Sequence, residues 1–357
     1  MFIFQINPKS ETTDQQEFYL KKIAIIRFSS FGDLAQALSI VDSIQASWGP
    51  VEIHWITKFE FAELISIHPK IKKVWSYRHA DGLTGLVLLA KQIKDQKFDL
   101  IYDAHNNLRS HLLCWFLRCH WSRPQFLRKS QKRWKRFLLF QFRINLFEQP
   151  FSGQRDLLEP LQAWGISKVS PAAPQFFTSL QALAEIEKRS QNWNLKEWIC
   201  LAPSAAFPLK RWPISHWRNL IQLLPKEKFI ILGGPDDHFL KEISKGFENQ
   251  VHLQMGSCSF QESAAWIQKS KALISNDTGL LHVAEQLGHP TLALMGPAPF
   301  GFPSRTQTTT ILQKNLDCRP CSKHGQGPCT NPDFHACMQT ILPEDVLQTL
   351  RSRGLCL

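Results

Sequence analysis

No stretch of the chain approaches the ~20 consecutive apolar residues that a membrane-spanning helix needs. The longest candidate, Gly82 to Ala90, is less than half that length. The opening residues, MFIFQINPKSE, lack a basic segment followed by a long apolar run. No secretory signal is therefore expected, and a cytoplasmic location is. Disulfides are rare there, so the nine cysteines are expected to be thiols or metal ligands. The pattern G-x-G-x-x-G occurs nowhere, which removes the nicotinamide or flavin dinucleotide fingerprint. No internal repeat or low-complexity tract stands out. One local absence is sharper: between Asp103 and Glu148 there is no acidic residue at all.

The 357 residues are 43% hydrophobic, enough to bury a core and to build two domains. Of the formal net charge of +12, +9 falls in residues 1–175, where 24 Lys and Arg face 15 Asp and Glu. The first half therefore carries most of the field that would draw an anionic partner. The acid-free stretch holds Arg109, Arg118, Arg123, Arg128, Lys129, Lys132, Arg133, Lys135, Arg136 and Arg143. Trp115, Phe116, Trp121, Phe126, Trp134, Phe137 and Phe140 are interleaved with them. Its pattern is helical over 110–147. Such a mixture suits nucleic acid or an anionic, phosphate-bearing membrane surface, beside the blander reading of a solvated basic face.

After a segment 1–20 that reads as an extension, short apolar runs alternate with helical spacing. Strands are expected at 21–28, 51–57, 98–105, 197–203, 228–234, 271–277 and 290–296. A Pro-punctuated stretch near 150–180 separates two series. Strand–helix alternation implies parallel sheets with right-handed crossovers. The expectation is an α/β protein of two Rossmann-like domains facing a cleft, 21–175 and 176–340. A C-terminal helix within 341–357 would return to the first domain.

In such folds ligands gather beyond the carboxyl ends of strands, where five loops lie. In SNDTGLLH (275–282), a helix opening at Thr278 offers unpaired amides to a phosphate. Gly279 admits close approach, and His282 stands one turn in; otherwise Asp277 or Thr278 simply caps the helix. In APSAAFPLK (202–210), Ser204 and Lys210 can hold an anion, or form a surface loop. In GGPDD (233–237), Asp236 can accept from ribose hydroxyls or cap a helix. In RFSSFGD (27–33), Asp33 can act as a general base or as a cap. DAHNN (103–107) completes the set. Near the C-terminus, Cys318, Cys321, Cys329 and Cys337, with His335 among them, have a zinc-like spacing. They would hold a structural zinc, or stand as reduced thiols that pack a loop.

Taken in order, RFSSFGD, FDLIYDAHNNLRS, PSAAFPLKRWP, FIILGGPDD and SNDTGLLHVAEQLGHPTLALMGP resemble the ADP-heptose:lipopolysaccharide heptosyltransferases of glycosyltransferase family 9. The resemblance covers roughly residues 21–350. It implies a GT-B fold and transfer of a heptose from ADP-heptose with inversion at the sugar carbon. The acceptor would be the inner core of lipopolysaccharide, Kdo–lipid A with or without a first heptose. Asp33 would be the base. Ser204, Lys210, Asp236, Asp277, Thr278, Gly279 and His282 would bind the donor. His105, Asn107, Arg109, Arg128, Arg133 and Arg136 would face the anionic acceptor; His105 and Asn106 replace the family's Gln and Gly. No cofactor is required, and no nucleic acid is a partner. The basic aromatic stretch would rest on the inner leaflet, making the enzyme peripheral on the inner membrane of a Gram-negative bacterium. Rival readings are a GT-B enzyme using another nucleotide sugar, whether transferase or epimerase, and a nucleic-acid-binding protein.

Overall fold

The computed structural model describes residues 20–120 and 125–356. The expected N-terminal extension, Trp121 and Arg123 lie outside them, apart from Leu20. Two sheets organise the rest. Five strands form the first: β1 (Lys22–Ile26), β2 (Glu52–Lys58), β3 (Lys73–Tyr77), β4 (Leu100–Asp103) and β5 (Gln125–Arg128). Their spatial order is β3-β2-β1-β4-β5. Six strands form the second: β6 (Ile199–Ala202), β7 (Phe229–Gly233), β8 (Val251–Met255), β9 (Leu273–Asn276), β10 (Thr291–Leu294) and β11 (Thr309–Leu312). Their order is β11-β10-β9-β6-β7-β8. Every pairing is parallel. This is the α/β, GT-B arrangement expected from the alternation of strands and helices.

Strand order reverses between β1 and β4 in one sheet, and between β6 and β9 in the other. At such a switch point neighbouring crossovers leave on opposite faces and open a crevice beyond the strand ends. The loops after β1, β4, β6 and β9 are RFSSFGD, DAHNN, APSAAFPLK and NDTGLLH. Topology alone therefore gathers four of the five motif loops.

The acid-free stretch is not helical throughout. Helices Leu108–His120 and Arg133–Phe142 flank β5, which pairs with β4 at the sheet edge. The stretch after Pro150 is ordered: Leu157, Leu158, Leu161 and Phe176 are buried in the first domain's core. The C-terminal helix Pro343–Ser352 does not return to the first domain. Val346 and Leu350 are fully buried beside Trp212, Trp217 and Leu220 of the second. Each burial is worth about 1.5–3 kcal/mol, and Trp212 Nε1 donates to Ile341 O at 2.8 Å. No helix among the described residues is long and apolar enough to cross a membrane.

The domains meet at two helix starts. The helix Phe31–Ala37 crosses the helix Gly279–Leu287 so closely that a β-carbon on Gly32 would lie 3.0 Å from Gly279 Cα and from His282 Cδ2. One on Gly279 would lie 2.6 Å from the Phe31 ring. Only glycine admits this approach. Phe31 also stacks on Phe260 at 4.3 Å. Gln286 Nε2 donates to Ala35 O at 2.9 Å.

Candidate active site

On the first-domain side, Ser30 occupies the helix cap, and Asp33 sits at the third helical position. Arg27, at the end of β1, forms an ion pair with Asp33 Oδ2 at 2.6 Å. Ser30 Oγ donates to the same oxygen at 2.9 Å. Among the described residues Oδ1 has no hydrogen-bond partner, while the side chain keeps 48% of its surface accessible. Burial between the domains would raise its pKa. The nearby charges of Arg27 and Lys129, with the Ser30 hydrogen bonds, outweigh that and hold it well below the usual carboxylate range. Asp33 is therefore ionised at neutral pH, oriented at one oxygen and open at the other.

Behind it, Asp103 is an organising carboxylate. It accepts from the backbone of Asn106 at 2.8 Å, Ser110 Oγ at 2.9 Å and Arg128 Nε at 2.9 Å. Asn107 accepts from Ser110 N, so its role in the fold is to start a helix. His105 packs edge-on against Phe28. Desolvation and the neighbouring Arg27 hold its pKa down at about 4, so it is neutral at pH 7. Arg128, Lys129, Gln131, Arg133, Trp134 and Asn106 line a cavity of about 640 Å³. Arg136 leans over the Phe300 ring at 4.5 Å. Arg109 lies apart, close enough to Tyr77 to perturb it.

On the second-domain side, Thr278 occupies the helix cap but its side chain caps no amide. The amides at that helix start are thus left for another acceptor. Lys210 Nζ lies 2.5 Å from Asp277 Oδ2, both side chains largely buried. Asn276 binds both ends of the preceding loop, donating to Pro203 O and accepting from Trp212 N. His282 Nδ1 is 3.4 Å from buried Glu285, which itself accepts from the Arg305 amide at 2.8 Å. Asp236 stands exposed. It is the next residue, Asp237, that accepts from Ser204 Oγ at 2.7 Å and from Gly234 N at 2.8 Å.

Asp33, Lys210, Thr278, Gly279 and His282 thus converge from two domains on one cleft, with Ser204 on the loop behind Lys210. A model of glycosyltransferase family 9 (heptosyltransferase) matches residues 86–328, more than half of the chain. The chain belongs to glycosyltransferase family 9. It is similar to lipooligosaccharide heptosyltransferase 2 of Haemophilus influenzae, at 24% identity over 352 residues, 92% of this chain and 98% of that one. A solved family 9 glycosyl transferase from Veillonella parvula superposes with a TM-score of 0.75 at 18% identity, covering 94% and 97% of the two chains. The E. coli ADP-heptose lps heptosyltransferase II superposes with a TM-score of 0.71 at 20% identity, covering 93% and 98%.

This family 9 glycosyltransferase has site residues that the sequence motifs alone do not single out. Arg27 carries the ion pair to Asp33, and its signal was a basic residue ending an apolar strand. Lys129 is held by Asp156 at 3.0 Å, and burial lowers its pKa. Nothing in its sequence context separates it from the other nine basic residues around it. The cysteine segment has contacts of its own. Cys318 Sγ accepts from Asn331 at 3.3 Å and Cys329 Sγ from the His335 amide at 3.2 Å. Burial pushes the Cys337 thiol up to about 11. Among the described residues no three His, Cys, Asp or Glu are placed to hold a metal ion.

Proposed function

We propose that this enzyme transfers a heptose from ADP-heptose to the lipopolysaccharide core, with Asp33 as general base and inversion at the sugar carbon. The observation that carries this reading is the meeting of Asp33 with the start of the Gly279–Leu287 helix across the Gly32–Gly279 contact. An acceptor hydroxyl bound over Asp33 would face a sugar whose diphosphate lies on that helix start. The names of the similar enzymes supply the donor and acceptor class.

Breaking the sugar–phosphate bond builds negative charge on the leaving diphosphate. Lys210, the free amides at Thr278 and Gly279, and His282 are positioned to stabilise it, and donors fixed in advance need no reorganisation. Asp33, ionised but weakly basic while paired with Arg27, takes the proton only as attack makes the hydroxyl acidic. Closure of the domains would exclude water from the donor. Arg128 and Arg133, on the 640 Å³ cavity, suit the anionic groups of the acceptor.

The same face suits an anionic bilayer surface. Trp134, Phe137 and Phe142 are 77, 48 and 60% exposed on the basic helix Arg133–Phe142. Apolar side chains that enter the interface beside lysines and arginines bind such surfaces.

The test is ADP release from ADP-heptose, first with heptose-free Kdo–lipid A, then with the mono-heptosylated acceptor. Release only with an acceptor, abolished in Asp33→Ala, is the expected result. ADP binding without release for either acceptor would remove the assigned acceptor. Thermal protection by UDP in preference to ADP would favour a different nucleotide sugar.

A further inference from the structure

The tip of the cysteine segment lies on the Lys210 loop. Gly325, at φ +81°, rests on the stem of Lys210: a β-carbon there would fall 2.5 Å from Lys210 Cγ and 3.0 Å from Cδ. The His324 ring lies over Phe207 of the same loop, with centroids 6.5 Å apart. His335 Nε2 donates to Leu209 O at 2.8 Å. The segment thus contacts 207, 209 and 210 in turn and covers the Lys210 loop from outside. The first domain holds it too, because Arg143 Nη1 donates to the carbonyls of Cys318 and Pro320. Ser322 fixes the tip itself, accepting from Gly325 N and Gln326 N at 3.0 Å.

Lys323 and His324 are both exposed at this tip, and among the described residues neither has an acidic ion-pair partner. Each experiences Arg136, and His324 also experiences Lys323, Lys210 and, with opposite sign, Asp33. Among the described residues the buried Arg136 Nε has no hydrogen-bond partner. Burial and these cations lower the pKa of His324 from its ordinary 6.5, so its ring is neutral at pH 7 and offers a hydrogen bond rather than a charge. Lys210 and Lys323 of one domain and Arg136 of the other therefore crowd one place, and among the described residues only Lys210 of the three has an acid in contact. Like charges held together without compensation are costly, and a phosphate group is the complement that removes the cost.

We propose that Lys323 and His324 are phosphate-binding residues, carried by the cysteine segment, that complete the diphosphate site over Lys210 together with Arg136. The inference rests on the donor reading above and deepens it. The loop delivers one cation, Lys323, and one hydrogen-bonding ring, His324, to the cleft.

The test measures binding by the whole chain, with ADP, adenosine and inorganic pyrophosphate as probes. The variants are Lys323→Ala, His324→Gln, their double and the conservative Lys323→Arg. The double variant is expected to bind ADP and pyrophosphate at least ten-fold more weakly, with adenosine within two-fold of the parent. Lys323→Arg should recover most of the loss, and melting temperatures should stay close to the parent's. Equal weakening of ADP and adenosine would overturn the proposal and leave the loop a purely structural element. Unchanged ADP and pyrophosphate binding with a raised acceptor KM would also overturn it, by moving the anion to the acceptor. If the parent prefers another nucleoside diphosphate, the ADP-heptose reading falls. The comparison of that diphosphate with its nucleoside then decides the loop's role independently.

Discussion

The two crevices of this enzyme hold charge in opposite ways. In the second domain Lys210 is already paired with Asp277, and Asn276 ties the loop behind it. In the first, Arg128, Lys129 and Lys132 have acid partners, but Arg133 contacts no carboxylate among the described residues, and apolar rings stand exposed beside it. A paired, buried cation is held at one position and suits a ligand of constant shape, such as a nucleoside diphosphate. An unpaired basic face with aromatic neighbours suits a large, variable and partly lipidic anion. The contrast explains why the donor loops read so clearly as motifs and the acceptor side only as composition.

The contrast can be broken first at Lys210. Lys210→Ala should lower kcat by about 10²–10³-fold, the usual loss when one fixed donor to a developing charge is removed. An effect below ten-fold in steady-state kinetics would show that the paired lysine is structural. Arg27→Gln should act next, through Asp33. Removing that cation lets burial dominate, so the carboxylate's pKa rises and the acidic limb of the kcat/KM profile moves to higher pH. A limb that stays in place would separate Arg27 from the base. On the basic face, Trp134→Ser with Phe137→Ser should cut partition onto anionic vesicles about ten-fold, while activity on a detergent-solubilised acceptor is kept; partition unchanged from the parent would place the bilayer elsewhere.

The smallest effect concerns stability. His68 is 3% exposed and its Nδ1 accepts from the Lys70 amide at 3.2 Å. Desolvation holds its pKa down at about 4, from an ordinary 6.5. Between those values the unfolded chain binds a proton that the folded one refuses, so stability falls as pH drops through that window. Denaturant titrations should show a loss of about 1–1.5 kcal/mol at pH 5.5 from this group. His68→Gln should flatten that slope; an unaltered slope would assign it to other groups.

How much was legible follows the burial of each element. The seven strands expected from apolar runs correspond to β1, β2, β4, β6, β7, β9 and β10, all of them interior to their sheets. The four that were not foreseen, β3, β5, β8 and β11, are the four edges. An interior parallel strand is covered on both faces and reads as an unbroken apolar run. An edge such as KVWSY or QFLR is half exposed, and its mixed composition passes for helix or loop. The same physics governed the site. Asp33 and Thr278–His282 follow interior strands and could be placed by their loops. Asp237 could not be told from Asp236, because only the distance to Ser204 separates them. The partnership of Lys210 with Gly325, 115 positions away, has no local signature at all.

Gln286 has a consequence for how the molecule is made. Its side chain donates to Ala35 O at 2.9 Å and to Gln36 O at 3.3 Å, and its oxygen accepts from Arg305 at 3.0 Å. Its backbone carbonyl accepts from Gln175 N at 2.7 Å. One residue thus joins segments some 250 positions apart. Contacts of such long sequence separation form late, after the loop entropy between them has been overcome. On a ribosome that adds residues from the N-terminus, the helix bearing Asp33 is synthesised long before its neighbour across the cleft. A nascent chain can fold its first sheet, but it holds no complete catalytic centre until the Gly279–Leu287 helix has emerged and docked.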